Sequence, residues 1–379
     1  MAFLTSGPSD RSRRKTALVL AGGGITGFLY EVGVLAALDE LAGDAASNDF
    51  DVYVGTSAGA VLASLLANGA RPREIFEAVI RDQSSSPFYF QSRDILGVGS
   101  GGPLRMMGQF ARATFGTVGR ALRAKHWPSF AQMFADFQEH HPPGFYSTEA
   151  LEKTLCDRFS ALRYQHQFDK LSRELFLTGT DIDTGEHLVF GAGEFADSHI
   201  CRAVAASCAI PVFFRPIRIG DRDVVDGGVS EVCPLEIAVE RGANVIVFVN
   251  PMVPIRNDRA RICIPAGGGR CARLSEKGVG WIGEQAMRLM RAHSLATAIA
   301  ALRSNPRVEL LHIEPGRDEM QLFMHSIMSF SAGRELLEYG RDSGRAFFAS
   351  GGAAILRASH PSVSATVRAR NTKLAAAAQ

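Results

Sequence analysis

Ser57 stands where a serine could act as a nucleophile. Val52-Tyr53-Val54 leads into Gly55-Thr56-Ser57-Ala58-Gly59, and an apolar, alanine-rich stretch follows over residues 60–67. Strand, sharp turn and helix in that order lift a hydroxyl above a sheet edge and aim a helix N-terminus at it. So tight a turn crowds its central residue, which is why Gly55, Ala58 and Gly59 are small. A second chemistry-bearing group is Asp226, which follows Val224-Val225 and precedes Gly227-Gly228. A carboxylate in that context can be held rigidly and face a cleft, although Asp-Gly in isolation reads as a hairpin turn. The third piece is Gly22-Gly23-Gly24-Ile25-Thr26-Gly27, where successive glycines let backbone N–H groups converge on a ligand. The ligand could be a phosphate, as in dinucleotide folds, or the oxyanion of a tetrahedral intermediate. The spacing fits Gly-x-Gly-x-x-Gly poorly, and the second strand ends in the serine turn rather than in an acidic residue. The oxyanion reading is therefore favoured.

These groups need rigid elements beneath them. Residues 16–21 form a continuous apolar run of strand length before the glycines, and residues 28–41 carry apolar positions at helical spacing. Further strands are expected at 175–180, 187–190, 224–225, 245–250 and 308–313. Helices are expected at 71–83, 150–159, 200–208, 234–241 and 281–303, with one or two more over 320–345. Strands and helices alternate, which predicts an α/β fold with a mostly parallel sheet. Residues 84–145 break the pattern and read as an irregular helical cap insertion. In it Arg93, Arg105, Arg112, Arg120, Arg123 and Lys125 face the single acid Asp94 over residues 93–125. Such a stretch suits either a solvated insertion or peripheral contact with an anionic membrane surface. Residues 256–280 read as a mobile loop, 1–15 as a flexible lead-in and 351–379 as a low-complexity tail. The main domain is then 16–350.

Composition narrows the classes. The chain has 379 residues, 46% apolar and 21% charged, with a net charge of +2, so nothing marks it for nucleic acid. No apolar run is long enough to span a bilayer, and the first residues lack the apolar core of a signal peptide, so a cytoplasmic location, with possible membrane association, is expected. Cys156, Cys201, Cys208, Cys233, Cys263 and Cys271 form no Cys-x-x-Cys pair and read as buried free thiols rather than disulfides or zinc ligands. No metal and no other cofactor is expected.

Taken in order, the glycine turn, the serine turn and Asp226-Gly227-Gly228 resemble the patatin-like phospholipases, a family of lipid acyl hydrolases. Residues 206–214 and Thr180-Asp181 with Thr184-Gly185-Glu186 look like that family too. The resemblance covers residues 17 to about 250. It implies a three-layer α/β sandwich and a Ser–Asp dyad without histidine. On that basis Ser57 is the nucleophile and Asp226 the general base. Gly22, Gly23 and Gly24, with the Ala58 N–H, form the oxyanion hole, and Gly27, Gly55, Gly59, Gly227 and Gly228 support the motifs. The implied substrate is a phospholipid or other fatty-acyl ester, and no cofactor is implied. Thr26 stands where many relatives carry Arg or Lys. Two other readings compete. One is an α/β-hydrolase triad completed by His293, His312 or His325. The other is a non-catalytic lipid-binding module working through residues 93–125.

Overall fold

The computed structural model describes residues 14–97, 143–230, 235–258, 270–316, 327–329 and 331–359, with scattered single positions between them. Residues 98–142 of the cap insertion expected at 84–145, the lead-in and the last twenty residues lie largely outside this set. In chain order the elements are β1 (Thr16–Leu20), α1 (Gly24–Ala42), β2 (Val52–Gly55), α2 (Ala58–Ala67), α3 (Pro72–Ile80), α4 (Ser92–Ile95), β3 (Gly144–Tyr146) and α5 (Glu149–Leu162). There follow β4 (Glu174–Asp181), β5 (His187–Phe190), α6 (Ile200–Ser207), β6 (Val212–Phe214), β7 (Ile217–Ile219) and β8 (Arg222–Asp226). The last described are α7 (Leu235–Glu240), β9 (Val245–Val249), α8 (Val279–Arg303), β10 (Glu309–Ile313), α9 (Gly333–Phe347) and α10 (Ala353–Ser359).

The main sheet runs β10-β9-β1-β2-β4-β8-β7, with β5 also on β4. Strands β10, β9, β1, β2 and β4 are parallel, as the alternating pattern predicts. Their continuous apolar sequences follow from burial on both faces. Leu18, Leu20 and Tyr53 pack on one side with α1, α2 and α6. Ala17, Val19, Val52 and Phe248 pack on the other with Leu235 of α7 and Leu295 of α8. The molecule is thus a three-layer α/β sandwich.

Strand β4 positions the site. Its first half pairs in parallel with β2, Gly55 lying opposite Leu177, and its second half pairs antiparallel with β8, Asp226 lying opposite Gly179. β5 covers the opposite edge along 177–180, so β2 and β8 share one edge, end to end. They run in opposite directions, so their C-terminal ends meet two residues apart along β4.

Some sequence expectations need correcting. Asp226-Gly227 is not a hairpin: Gly227–Val229 turns as a 3-10 helix. A Cβ at Gly227 would lie 2.2 Å from the Thr178 hydroxyl, so the chain crosses β4 too closely for any side chain. Residues 353–359 form a helix whose Arg357 donates to the Leu41 carbonyl, so packed structure continues past residue 351. Cys156, Cys201 and Cys208 are free thiols, but Cys271 is in a disulfide, with its partner outside the described residues. The expected mobile loop folds back on itself there, Ala272 N–H donating to the Ile264 carbonyl at 2.8 Å. Linear spacing carried no sign of that return. No helix among the described residues is long and apolar enough to cross a membrane.

Glu31 on α1 is fully buried, and neither of its carboxyl oxygens has a hydrogen-bond partner among the described residues. Burial pushes its pKa well above the usual 4.5. The folded state therefore keeps a proton that the unfolded chain releases once pH passes about 4.5, and stability declines as pH rises from there. Glu31→Gln should raise Tm at pH 7 and lose that advantage at pH 4, as measured by calorimetry at both values.

Candidate active site

Ser57 begins α2 at φ 55° and ψ −124°, a conformation that non-glycine residues rarely adopt. The turn closes through Thr56 N–H to Leu20 O and Gly59 N–H to Thr56 O. Small residues are forced here by close approach. A Cβ on Gly55 would lie 2.6 Å from the Gly59 carbonyl oxygen, and one on Gly59 would lie 2.4 Å from that of Leu20.

The end of α6 holds this elbow. The Ser57 N–H donates to Ser207 Oγ at 2.8 Å, and Cys208 Sγ donates to Ser57 O at 3.2 Å. Burial, reinforced by the Asp226 charge, pushes the Cys208 thiol up, so it keeps the proton it donates. The next residue, Ala209, accepts the Asp226 N–H at 3.0 Å. Three consecutive residues thus tie Ser57 and Asp226 to one another. The 206–214 stretch singled out in the sequence has this structural task.

Asp226 is 3% exposed. Its Oδ1 accepts the Gly228 N–H at 2.8 Å, and its Oδ2 is buried with no hydrogen-bond partner among the described residues. Burial raises its pKa above the usual 3.8, while Arg291, the Ser57 hydroxyl and the Gly228 N–H pull it back. Arg291, on α8, was not anticipated from sequence. Its guanidinium lies where a Cβ on Gly228 would be 2.8 Å away. Sequence carries no signal for it, because it arrives from a helix 65 residues further along the chain.

The glycine turn lies against the serine. A Cβ on Gly22 would be 2.9 Å from Ser57 Cβ, and one on Gly23 would be 2.9 Å from Gly27 Cα and 3.0 Å from Pro251. Gly24 has φ +60° and starts α1, whose first turn is held by Ile25 N–H to Ile327 O at 2.7 Å. Thr26 is fully buried, and its hydroxyl donates to Gly23 O. Among the described residues, the N–H groups of Gly22, Gly23, Gly24 and Ala58 donate to no acceptor. The N-termini of α1 and α2 converge on the same spot, which favours negative charge there.

Ser57 also borders a cavity of about 370 Å³ lined mainly by apolar side chains, among them Phe28, Leu29, Val61, Phe88, Phe90, Leu151 and Met328. Such a cavity suits an aliphatic chain. Among the described residues, no histidine joins Ser57. His312 lies on β10, stacked on Phe248 at 5.1 Å, with two strands between it and β2. His293 is exposed on α8, and His325 lies outside the described residues. Of the basic stretch, Arg93 is described and faces Asp94, while most of the rest is not.

A family model described as patatin-like phospholipase matches residues 18–239. The uncharacterized protein YqhO of Bacillus subtilis (strain 168) is 27% identical over 227 residues, 57% of this chain and 64% of YqhO. The match therefore spans somewhat less than two thirds of that relative. Among solved structures, VipD from Legionella pneumophila matches 89% of this chain and 67% of its own, at 15% identity and a TM-score of 0.39. ExoU, solved with SpcU from the type III secretion system of Pseudomonas aeruginosa, matches 90% of this chain and 53% of its own, at 15% identity and a TM-score of 0.37. With more than half of its length matched by the family model, this chain belongs to the patatin-like phospholipases.

Proposed function

We propose that the protein is a lipid acyl hydrolase that cleaves fatty-acyl esters, phospholipids foremost, through a Ser57–Asp226 dyad. The observation that carries this reading is the pairing of a strained serine at a helix N-terminus with a buried carboxylate whose Oδ2 has no partner among the described residues. The adjoining apolar cavity takes the acyl chain.

In the first step Ser57 Oγ attacks the ester carbonyl carbon while its proton passes to Asp226 Oδ2. The resulting oxyanion accepts from the backbone N–H groups of the glycine turn and Ala58, which need no reorganisation to receive it. Collapse breaks the bond to the alcohol, which leaves with the proton from Asp226. Water then attacks the acyl-enzyme, giving its proton to Asp226. The second collapse releases the fatty acid and restores the Ser57 hydroxyl. The raised pKa of Asp226 makes it a stronger base than an exposed carboxylate.

Ser57→Ala and Asp226→Ala should each lower the release of a chromogenic medium-chain acyl ester by about 10³-fold or more, whereas His293→Ala and His312→Ala should keep it. A Ser57→Ala enzyme with full turnover, or a histidine variant as dead as Ser57→Ala, would overturn the dyad. Fluorophosphonate labelling at Ser57 reports the same site without a substrate.

Arg291 lowers the Asp226 pKa, so its removal should raise it further. The base works deprotonated, and the acid limb of the kcat/KM profile should therefore move to higher pH in Arg291→Met. Ser207→Ala leaves the buried Ser57 N–H without its acceptor, and should cost about 1–3 kcal/mol of stability in denaturant melts.

A further inference from the structure

At the far end of α6 from the Ser57 clamp, four side chains of another chemistry converge. Cys156 comes from the middle of α5, His166 from the segment after it, His199 from the residue before α6, and Cys201 from its first turn. The Sγ and ring nitrogen atoms of these four all lie within 4.8 Å of one another. Cys156 Sγ is 3.9 Å from His199 Nδ1, and Cys201 Sγ is 3.9 Å from His166 Nδ1. The His166 and His199 rings sit 5.1 Å apart, tilted by 47°.

The backbone brings them together and holds them. Gln167 bridges to His199 in an antiparallel pair, and Ile200 N–H donates to His166 O at 2.9 Å. The orientation of His166 follows from a neighbour. The Ser160 hydroxyl donates its one proton to Cys156 O at 2.9 Å, so in its 3.3 Å contact with His166 Nε2 it must accept. That places the ring proton on Nε2 and turns the Nδ1 lone pair toward Cys201. Support of this kind at the outer ring nitrogen is what metal-bound histidines commonly receive.

We propose that Cys156, His166, His199 and Cys201 form a structural zinc site. Two thiolates and two imidazoles are a tetrahedral donor set for Zn²⁺, with bonds that place the donor atoms about 3.3–3.8 Å apart. From separations of at most 4.8 Å, the donor atoms need to close in by no more than about 1–1.5 Å to reach that spacing. Both thiols must lose their protons on binding, so zinc uptake releases protons and is favoured at higher pH. All four positions are taken by protein, which leaves none for water or substrate and assigns the ion no part in ester cleavage. Its effect is mechanical. It pins the N-terminal end of α6 to α5, while the C-terminal end of α6 holds Ser57 and Asp226.

The full-length protein with its Cys271 disulfide intact, freed of metal by chelator and dialysis, is titrated with Co²⁺ and then Zn²⁺. The expected result is one equivalent of Co²⁺ with the visible bands of a tetrahedral site and a thiolate charge-transfer band, displaced by one equivalent of Zn²⁺. Zinc should raise Tm by about 3–4 °C when present at a hundred times its Kd. Cys156→Ser and His166→Ala should abolish the cobalt spectrum. Ser160→Ala should keep one equivalent but weaken binding by about 10–100-fold. The unsubstituted protein decides the matter even if the variants fold poorly. An octahedral cobalt spectrum, no spectrum at all, or a Cys156–Cys201 disulfide that persists in reductant with zinc present would overturn the site.

Discussion

The structure depends on keeping Ser57 at a backbone angle that a serine does not choose. A residue at such a positive φ costs about 1–3 kcal/mol and persists only where its surroundings over-determine it. Here the restraint comes from Ser207 Oγ on the Ser57 N–H, Cys208 Sγ on its carbonyl, and Leu20 O on the Thr56 N–H. Because Ala209 also takes the Asp226 N–H, the element that fixes the hydroxyl fixes the carboxyl. The two groups cannot drift apart without moving α6. That helix is buried along nearly its whole length, from Ile200 to Ser207.

The sheet supplies the other half of the arrangement. A purely parallel sheet would carry Asp226 on a strand beside β2 and send both ends the same way. Reversal of β8 on the same edge of β4 turns the two strand ends toward each other instead. Thr178 lies between them, its hydroxyl bound to Thr56 and its backbone pressed against Gly227. The sheet thus brings the residue pair together from strands 170 positions apart in the chain. Helix dipoles and unspent N–H groups then make the space above Ser57 hospitable to negative charge.

Much of this was legible in the sequence because it is local. The strand, turn and helix around Ser57, the glycines of the first turn and the small residues of α6 all announce themselves by type and spacing. The buried strands read as apolar runs because both of their faces are covered. What stayed hidden is what distance brings together. Arg291, Pro251 and Ile327 approach the site from beyond the matched family stretch, and no short-range pattern marks them. The Asp-Gly pair looked equally like a hairpin, and only the approach of β4 decides against that. Cys156, His166, His199 and Cys201 evade any linear ligand motif, because two helices and a bridge between loops assemble them. Cys271 is paired as well, with a partner outside the described residues, and its spacing from the other cysteines carried no sign of that.

The register of β1 has a consequence for how the protein comes into being. β1 lies between β2, with Ala17 opposite Val52, and β9, with Thr16 opposite Val245. During synthesis one edge of this central strand therefore waits for more than two hundred further residues before its neighbour leaves the ribosome. Contacts of such long sequence separation form late and slowly. Until they form, Ala21 lacks its hydrogen bond to Val249, and Ile25 lacks the carbonyl of Ile327. The glycine turn is consequently shaped late, although it is made well before the residues that complete it. A nascent chain of this kind carries its serine long before it carries a finished pocket around it.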